Sequence, residues 1–209
     1  MSLTGEVVYL VDDDASVREA LSELFSSLDI EHVTFGSASE YLSFVRSDRC
    51  ACLVLDVQMP EINGLDLQQQ LGSESGPPII FITGRADIPS TVRAMKAGAS
   101  EFLTKPVDSQ SLLAAIRSAF IKDLEQRQKS AELMELRHRF ALLTPREREV
   151  LPLVVSGMLN KQAAAVLRIT DVTLQVHRGQ IMKKMEANSF ADLVRMAEKL
   201  GIPSPGKML

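Results

Sequence analysis

Short apolar runs alternate with stretches of helical periodicity through the first 122 residues, and five runs stand out at 7–11, 32–35, 52–56, 79–83 and 101–105. Three of them, VVYLV, CLVLD and IIFIT, are apolar without alternation. That pattern predicts central strands covered by helices on both faces. The first and last of the remaining runs are more mixed, as edge strands are. Strands separated by helix-length segments predict an α/β fold, a doubly wound five-stranded parallel sheet.

No Gly or Pro interrupts the chain between Val107 and Thr144. Leu113, Ile116, Phe120 and Leu124 have the spacing of a stripe that packs on a sheet. EQRQKS is then polar all round, and Leu133, Leu136 and Phe140 resume an apolar seam. The reading is a last sheet-covering helix over 108–122 and a helical linker over 123–140, with continuity between them left open. Thr144-Pro145-Arg146-Glu147 has the form of a capping box with Pro in the first helical position, which predicts a helix start there. Helices follow at 145–156, 160–168, 171–186 and 189–200, an all-α four-helix unit. Pro152 falls inside the first of these and is expected to bend it. Domains are thus expected at 1–122 and 141–209, joined by 123–140.

Composition places the chain among ordinary globular proteins, 45% hydrophobic with a net charge of −4. The total hides an asymmetry. Residues 1–124 carry 18 acidic and 9 basic side chains, net −9, and residues 125–209 carry 9 and 14, net +5. Only the second part suits a polyanion. No apolar run approaches the ~18 residues of a membrane span and no signal peptide is evident, so a cytoplasmic location is expected. Cys50 and Cys52 are expected to be reduced packing residues, because neither a second pair nor nearby histidines accompanies them.

In open parallel sheets functional groups collect at the carboxyl ends of the strands. Here those positions hold Asp12 and Asp13 after the first strand, Asp56 ending the third, Thr83 ending the fourth and Lys105 ending the fifth. Carboxylates gathered at one edge repel each other unless a cation binds. Oxygen-only ligands favour a hard divalent ion, Mg²⁺, with Lys105 facing the same site.

These residues carry a resemblance. VDDD at 11–14, LDVQMPEINGLDL at 55–67, FITG at 81–84 and EFLTKP at 101–106 resemble a two-component receiver domain of flavodoxin-like fold. The resemblance implies that Asp56 takes a phosphoryl group from a sensor histidine kinase. It implies Mg²⁺ held by Asp13, by Asp12 directly or through water, by Asp56 and by the Gln58 carbonyl. Thr83 and Lys105 are implied to contact the phosphoryl group, and Thr83 and Phe102 to form the switch. Such a chain is no enzyme towards external substrates; it promotes only its own phosphorylation and dephosphorylation. Gln58 and Arg85, two residues after Asp56 and Thr83, are expected to tune the phosphate lifetime.

Residues 143–185 resemble the helix-turn-helix of LuxR-type regulators, and the whole chain resembles the NarL/FixJ response regulators. The 171–186 helix is the one expected in the major groove of double-stranded promoter DNA. Gln175, Val176, Gly179 and Lys183 share one face, opposite a seam of Leu174, Ile181 and Met185. Gln suits an adenine edge, Val a thymine methyl, and Gly179 a close backbone approach. Lys161, Thr173, His177, Arg178, Lys183 and Lys184 are candidate phosphate contacts. Two positions depart from the family pattern: Gln175 where lysine is common, and Arg168 where glycine often marks the turn. A homodimer on paired half-sites is expected, with Phe190, Leu193, Val194 and Ala197 serving core and dimer contact, and RNA polymerase as a further candidate partner. The competing readings are a phosphorylation-independent DNA-binding regulator whose receiver serves only for dimerisation, and a phosphatase using Asp56 on external substrates. The complete pocket argues against the first; the lack of a substrate-binding insertion or a second general acid argues against the second.

Overall fold

The structure, a computed structural model, describes residues 5–72, 76–84 and 88–202. Two compact units divide the chain, Met1–Arg127 and Gln128–Leu209.

The first unit alternates strand and helix: β1 Glu6–Val11, α1 Ala15–Ser27, β2 His32–Phe35, α2 Ala38–Ser43, β3 Cys50–Asp56, α3 Gly64–Leu71, β4 Ile79–Thr83, α4 Ile88–Lys96, β5 Glu101–Thr104 and α5 Ser109–Ala141. All strand pairs are parallel, in the order β2-β1-β3-β4-β5. The continuously apolar runs are the three central strands, and the two-residue period splits each between two cores. Val7, Tyr9, Val11, Leu53, Leu55 and Phe81 fill one face. Val8, Leu10, Cys52, Val54, Ile80 and Ile82 fill the other, against Leu112, Ile116 and Phe120 of α5.

Three strands differ from the sequence reading, the first in that β1 begins one residue earlier, at Glu6. β3 begins at Cys50, where pairing with Glu6 extends the ladder. β5 ends at Thr104, but Lys105 N–H still donates to the Thr83 carbonyl at 2.7 Å, so Lys105 stays at the sheet edge. Cys52 is buried and Cys50 half-buried. Burial first, then the neighbouring Asp123 charge, pushes the Cys50 thiol up to about 11, which suits inert packing.

The reversal from β3 into α3 depends on Gly64. Its N–H donates to the Val57 carbonyl at 3.0 Å, and a Cβ there would fall directly on the Asp56 carbonyl oxygen.

α5 is one helix of 33 residues, Ser109–Ala141, which settles the continuity left open above: no break separates its two expected parts. Its buried stripe is Leu112, Ala115, Ile116, Ala119 and Phe120, while Leu124 is exposed. Ile116 and Phe120 lie in the stripe as expected, Leu113 is only partly buried against it, and Leu112, Ala115 and Ala119 complete it. Leu136, read as linker, is buried, and Phe140 packs against the core of the second unit.

The second unit also contains α6 Pro145–Val155, α7 Asn160–Leu167, α8 Asp171–Lys184 and α9 Phe190–Lys199. Pro152 lies inside α6 without ending it. Arg168 takes the left-handed conformation, φ 54° and ψ 45°, at the end of α7, so arginine occupies the geometry that glycine serves at least cost. Leu193 and Ala197 of α9 are buried and Phe190 and Val194 are partly buried against the same core. None of the four is left as an exposed apolar surface, so the expected dimer contact through them has no support in this unit.

The capping box of α6 is formed: Glu147 N–H donates to Thr144 Oγ1, and Thr144 N–H to Glu147 Oε2 at 2.7 Å. The same oxygen accepts from Lys184 Nζ at 2.7 Å, which ties the start of α6 to the end of α8. Burial would raise the Glu147 carboxyl, but Lys184 and Thr144 outweigh it and hold it below the ordinary value.

Three outcomes are expected. Gly64→Ala should cost about 2 kcal/mol or more in urea unfolding of the first unit, because backbone must move to admit the methyl. A lowered folded-state value means that the contribution of Glu147 is complete above the ordinary carboxylate range and disappears as pH falls through that lowered value. Thermal unfolding of the second unit followed by circular dichroism from pH 7 to pH 3 should therefore show a steeper acid loss in wild type than in Glu147→Gln. Glu147→Ala should cost roughly 3 kcal/mol at pH 7.

Candidate functional site

The three consecutive acids after β1 have three different fates. Asp12 is fully buried; its Oδ1 accepts from Asp14 N–H at 3.0 Å, and its carbonyl accepts from Arg18 Nη1 at 2.6 Å. Asp13 is exposed. Asp14 caps α1, its Oδ1 accepting from the N–H and hydroxyl of Ser16 at 2.9 and 2.7 Å. The cap occupies Asp14, which leaves Asp12 and Asp13 for the site.

Asp56 ends β3 and is 4% exposed. Its Oδ1 accepts from Gln58 N–H at 3.3 Å, and its Oδ2 from Lys105 Nζ at 3.2 Å. Lys105 Nζ also lies 2.7 Å from Asp12 Oδ2. That buried oxygen accepts no hydrogen bond; the ammonium meets it as a charge, outside hydrogen-bond geometry. Asp12, Asp13 and Asp56 each offer an oxygen, and these atoms lie within 4.8 Å of one another. Burial first, then the Asp12 charge, raises the Asp56 carboxyl above its ordinary value, against the lowering by Lys105. Burial acts to lower the ammonium of Lys105, but Asp12 and Asp56 prevail and raise it.

Thr83 is fully buried at the end of β4. Phe102 on β5 is half-buried, its ring centroid 6.1 Å from that of Phe81. The sheet thus brings Asp12, Asp13, Asp56 and Lys105 together, with Thr83 at the adjacent strand end. Arg85 lies outside the described residues. The sequence reading missed Arg18 and Gly64. Gly64 had a signal, a glycine just after the strand that ends in Asp56; Arg18 had none.

The donor set fits a hard divalent cation: three carboxylates, no nitrogen or sulfur ligand, and one buried oxygen of Asp12 without a hydrogen bond.

In the second unit Leu174, Ile181 and Met185 of α8 are fully buried, and Gln175, Val176, Gly179 and Lys183 face outward. Val176 is 58% exposed, and Val172, one turn earlier on the same row, is 71% exposed. Val172 was missed although its spacing from Val176 was visible. No atom lies within 4 Å of where a Cβ on Gly179 would stand, so nothing inside the unit requires glycine there. Lys161 and Thr173 are exposed and His177 half-buried. Two expected phosphate contacts are engaged within the unit: Arg178 stacks on Phe190 at 4.7 Å and donates to Asn160 Oδ1 at 3.2 Å, and Lys184 pairs with buried Glu147. Their spacing on the helix could not show this, because both partners come from other helices. Among the described residues no helix is long and apolar enough to cross a membrane.

Two family models match the chain: the response regulator receiver domain over residues 8–117, and the luxR family of bacterial regulatory proteins over residues 141–197. Nodulation protein W of Bradyrhizobium diazoefficiens is 48% identical over 200 residues, covering 95% of this chain and 88% of that protein. The structure of the response regulator StyR superposes with a TM-score of 0.78 at 47% identity, covering 94% of this chain and all of the other. Full-length FixJ from B. japonicum gives a TM-score of 0.55 at 35% identity, covering 96% and 98%. With its acidic strand-end pocket and its helix-turn-helix unit, the chain belongs to the NarL/FixJ response regulators, the two-component transcriptional regulators that join a receiver domain to a LuxR-type DNA-binding domain.

Proposed function

We propose that Asp56 accepts a phosphoryl group from a sensor histidine kinase and that this controls how α8 binds promoter DNA. The observation that carries the reading is the convergence of Asp12, Asp13, Asp56 and Lys105 at one sheet edge. The Asp56 carboxylate attacks the phosphorus of phosphohistidine, a P–O bond forms, the P–N bond breaks, and the imidazole regains a proton from solvent. Such transfer needs positioning and charge neutralisation more than a general base. Asp12, Asp13, Asp56 and the Gln58 carbonyl would hold Mg²⁺, which supplies neutralisation of the phosphoryl charge. Lys105 holds the Asp56 carboxylate in place beforehand and turns to the phosphoryl oxygens afterwards. Thr83 donates its hydroxyl to the same oxygens, and Phe102 closes behind it as the switch. Gln58 tunes hydrolysis from the pocket rim.

In the second unit, Gln175 and Val176 read base edges, Gly179 lets the α8 backbone come close, and Lys161, Thr173, His177 and Lys183 contact phosphates. Arg178 and Lys184 act by holding α8 in place. One such unit buries too little surface for tight specific binding, so the bound form is a homodimer on paired half-sites. RNA polymerase is a further partner in this reading.

Acetyl phosphate with Mg²⁺ should tighten binding of the full chain to a promoter duplex about tenfold, within the usual range of coupling between sites. Asp56→Asn should abolish that gain. An unchanged affinity in wild type would leave a regulator whose receiver serves only dimerisation. Without divalent cation, Asp56→Asn should also raise the thermal midpoint of the first unit at pH 7. The raised carboxyl favours the neutral form, so the cost of ionising it grows as pH rises through the ordinary carboxylate range to the folded-state value, and is present at pH 7. Mg²⁺ should stabilise wild type more than the variant. Gly179→Ala should stabilise α8 by roughly 0.5–1 kcal/mol in thermal unfolding while weakening duplex binding, the signature of a glycine kept for its ligand.

A further inference from the structure

Arg139 lies in the last turn of α5, within the second unit, and its side chain is 23% exposed. The guanidinium makes three contacts. Nε donates to Glu135 Oε1 at 2.9 Å, one turn earlier on the same helix. Nη1 donates to the Met185 carbonyl at 3.4 Å, and Nη2 stands 3.0 Å from Glu186 Oε2. Met185 is the C-cap of α8. Arg139 therefore reaches the negative end of the recognition helix, where a cation and a donor are both favoured.

Glu186 is the second observation. It has φ 55°, and the α8 end closes around it: Glu186 N–H donates to the Lys183 carbonyl at 3.2 Å and Ala187 N–H to the Met182 carbonyl at 3.0 Å. This is the helix stop at which glycine is the usual residue, because any other side chain costs free energy there. What glutamate provides at that position, and glycine does not, is a carboxylate within reach of Arg139.

We propose that Arg139, through Glu186 and the Met185 carbonyl, is a positioning residue for the recognition helix. Lys184 and Glu147 hold the end of α8 to the start of α6, and Arg139 holds it to α5. Two fixed points at the end of the helix set the orientation in which Gln175, Val176, Gly179 and Lys183 meet a duplex. Base-edge hydrogen bonds weaken within a few tenths of an ångström and tens of degrees, so a loosened helix end lowers sequence preference before it lowers phosphate attraction. The proposal rests on the DNA-binding reading of α8.

The test uses the full chain as wild type, Glu186→Gly, Arg139→Met and Arg139→Lys. Fluorescence anisotropy measures affinity for a duplex that wild type selects from a random pool, and for a random-sequence duplex of equal length. Thermal unfolding is followed in parallel. Glu186→Gly should unfold no earlier than wild type, since glycine relieves the left-handed residue. It should still bind the selected duplex about tenfold more weakly, a magnitude usual for residues that act through others, with affinity for random sequence retained. Arg139→Met should behave alike, and Arg139→Lys should recover part of the preference. The proposal is overturned if Glu186→Gly and Arg139→Met keep the wild-type ratio of selected to random binding, or if binding falls only as far as the folded fraction does. If wild type selects no duplex at all, the DNA-binding reading fails and takes the proposal with it.

Discussion

Mutual repulsion of carboxylates at the carboxyl edge of the parallel sheet is the constraint around which the first unit is arranged. Like charges whose oxygens lie within 4.8 Å of one another cost roughly 3 kcal/mol or more per pair at the effective dielectric of a protein surface. Asp12 and Asp56 are also buried, so water offsets little of that cost. Lys105 stands against both, yet Asp56 remains raised above its ordinary value. A single ammonium is therefore an incomplete counter-charge, and one buried Asp12 oxygen still accepts no hydrogen bond. A site in this condition gains from a divalent cation, and with the cation from a phosphoryl group.

The scaffold that imposes this proximity is ordinary in its physics. Three strands apolar on both faces are anchored by two cores, and each carries a buried polar residue at or just after its carboxyl end, Asp12, Asp56 and Thr83. Gly64 lets the chain turn back across the Asp56 carbonyl, which fixes the end of β3 at the site. In the second unit a buried carboxylate performs the analogous service: Glu147 completes the cap of α6 and receives Lys184 from α8, so the entry of α6 and the placement of α8 share one oxygen.

What could be read from the chain follows the range of the interactions. The five strands, the capping box and the outward face of α8 are encoded by periodicity and neighbouring residues, and they were legible to within one or two positions, with only Val172 overlooked. The strand-end acids were legible because a parallel sheet must bring strand ends together. Contacts between distant segments were not. Nothing local distinguishes Lys184, held by Glu147, from Lys183, which faces outward; nor does it show that Arg178 stacks on Phe190. The end of α5 looked like linker because its polar stretch hides the packing of Leu136 and Phe140 behind it. The left-handed Arg168 shows the reverse case, a residue type that argued against a turn which the packing of α7 and α8 nevertheless enforces.

The central claim is that the acidic cluster makes Asp56 a phosphoryl acceptor, and intact-mass spectrometry of the full chain after incubation with acetyl phosphate tests it most directly. The account predicts one added phosphoryl group per chain in Mg²⁺, lost when the cation is chelated and absent from Asp56→Asn. An unmodified wild-type chain in Mg²⁺, or a phosphoryl group retained by Asp56→Asn, would contradict it.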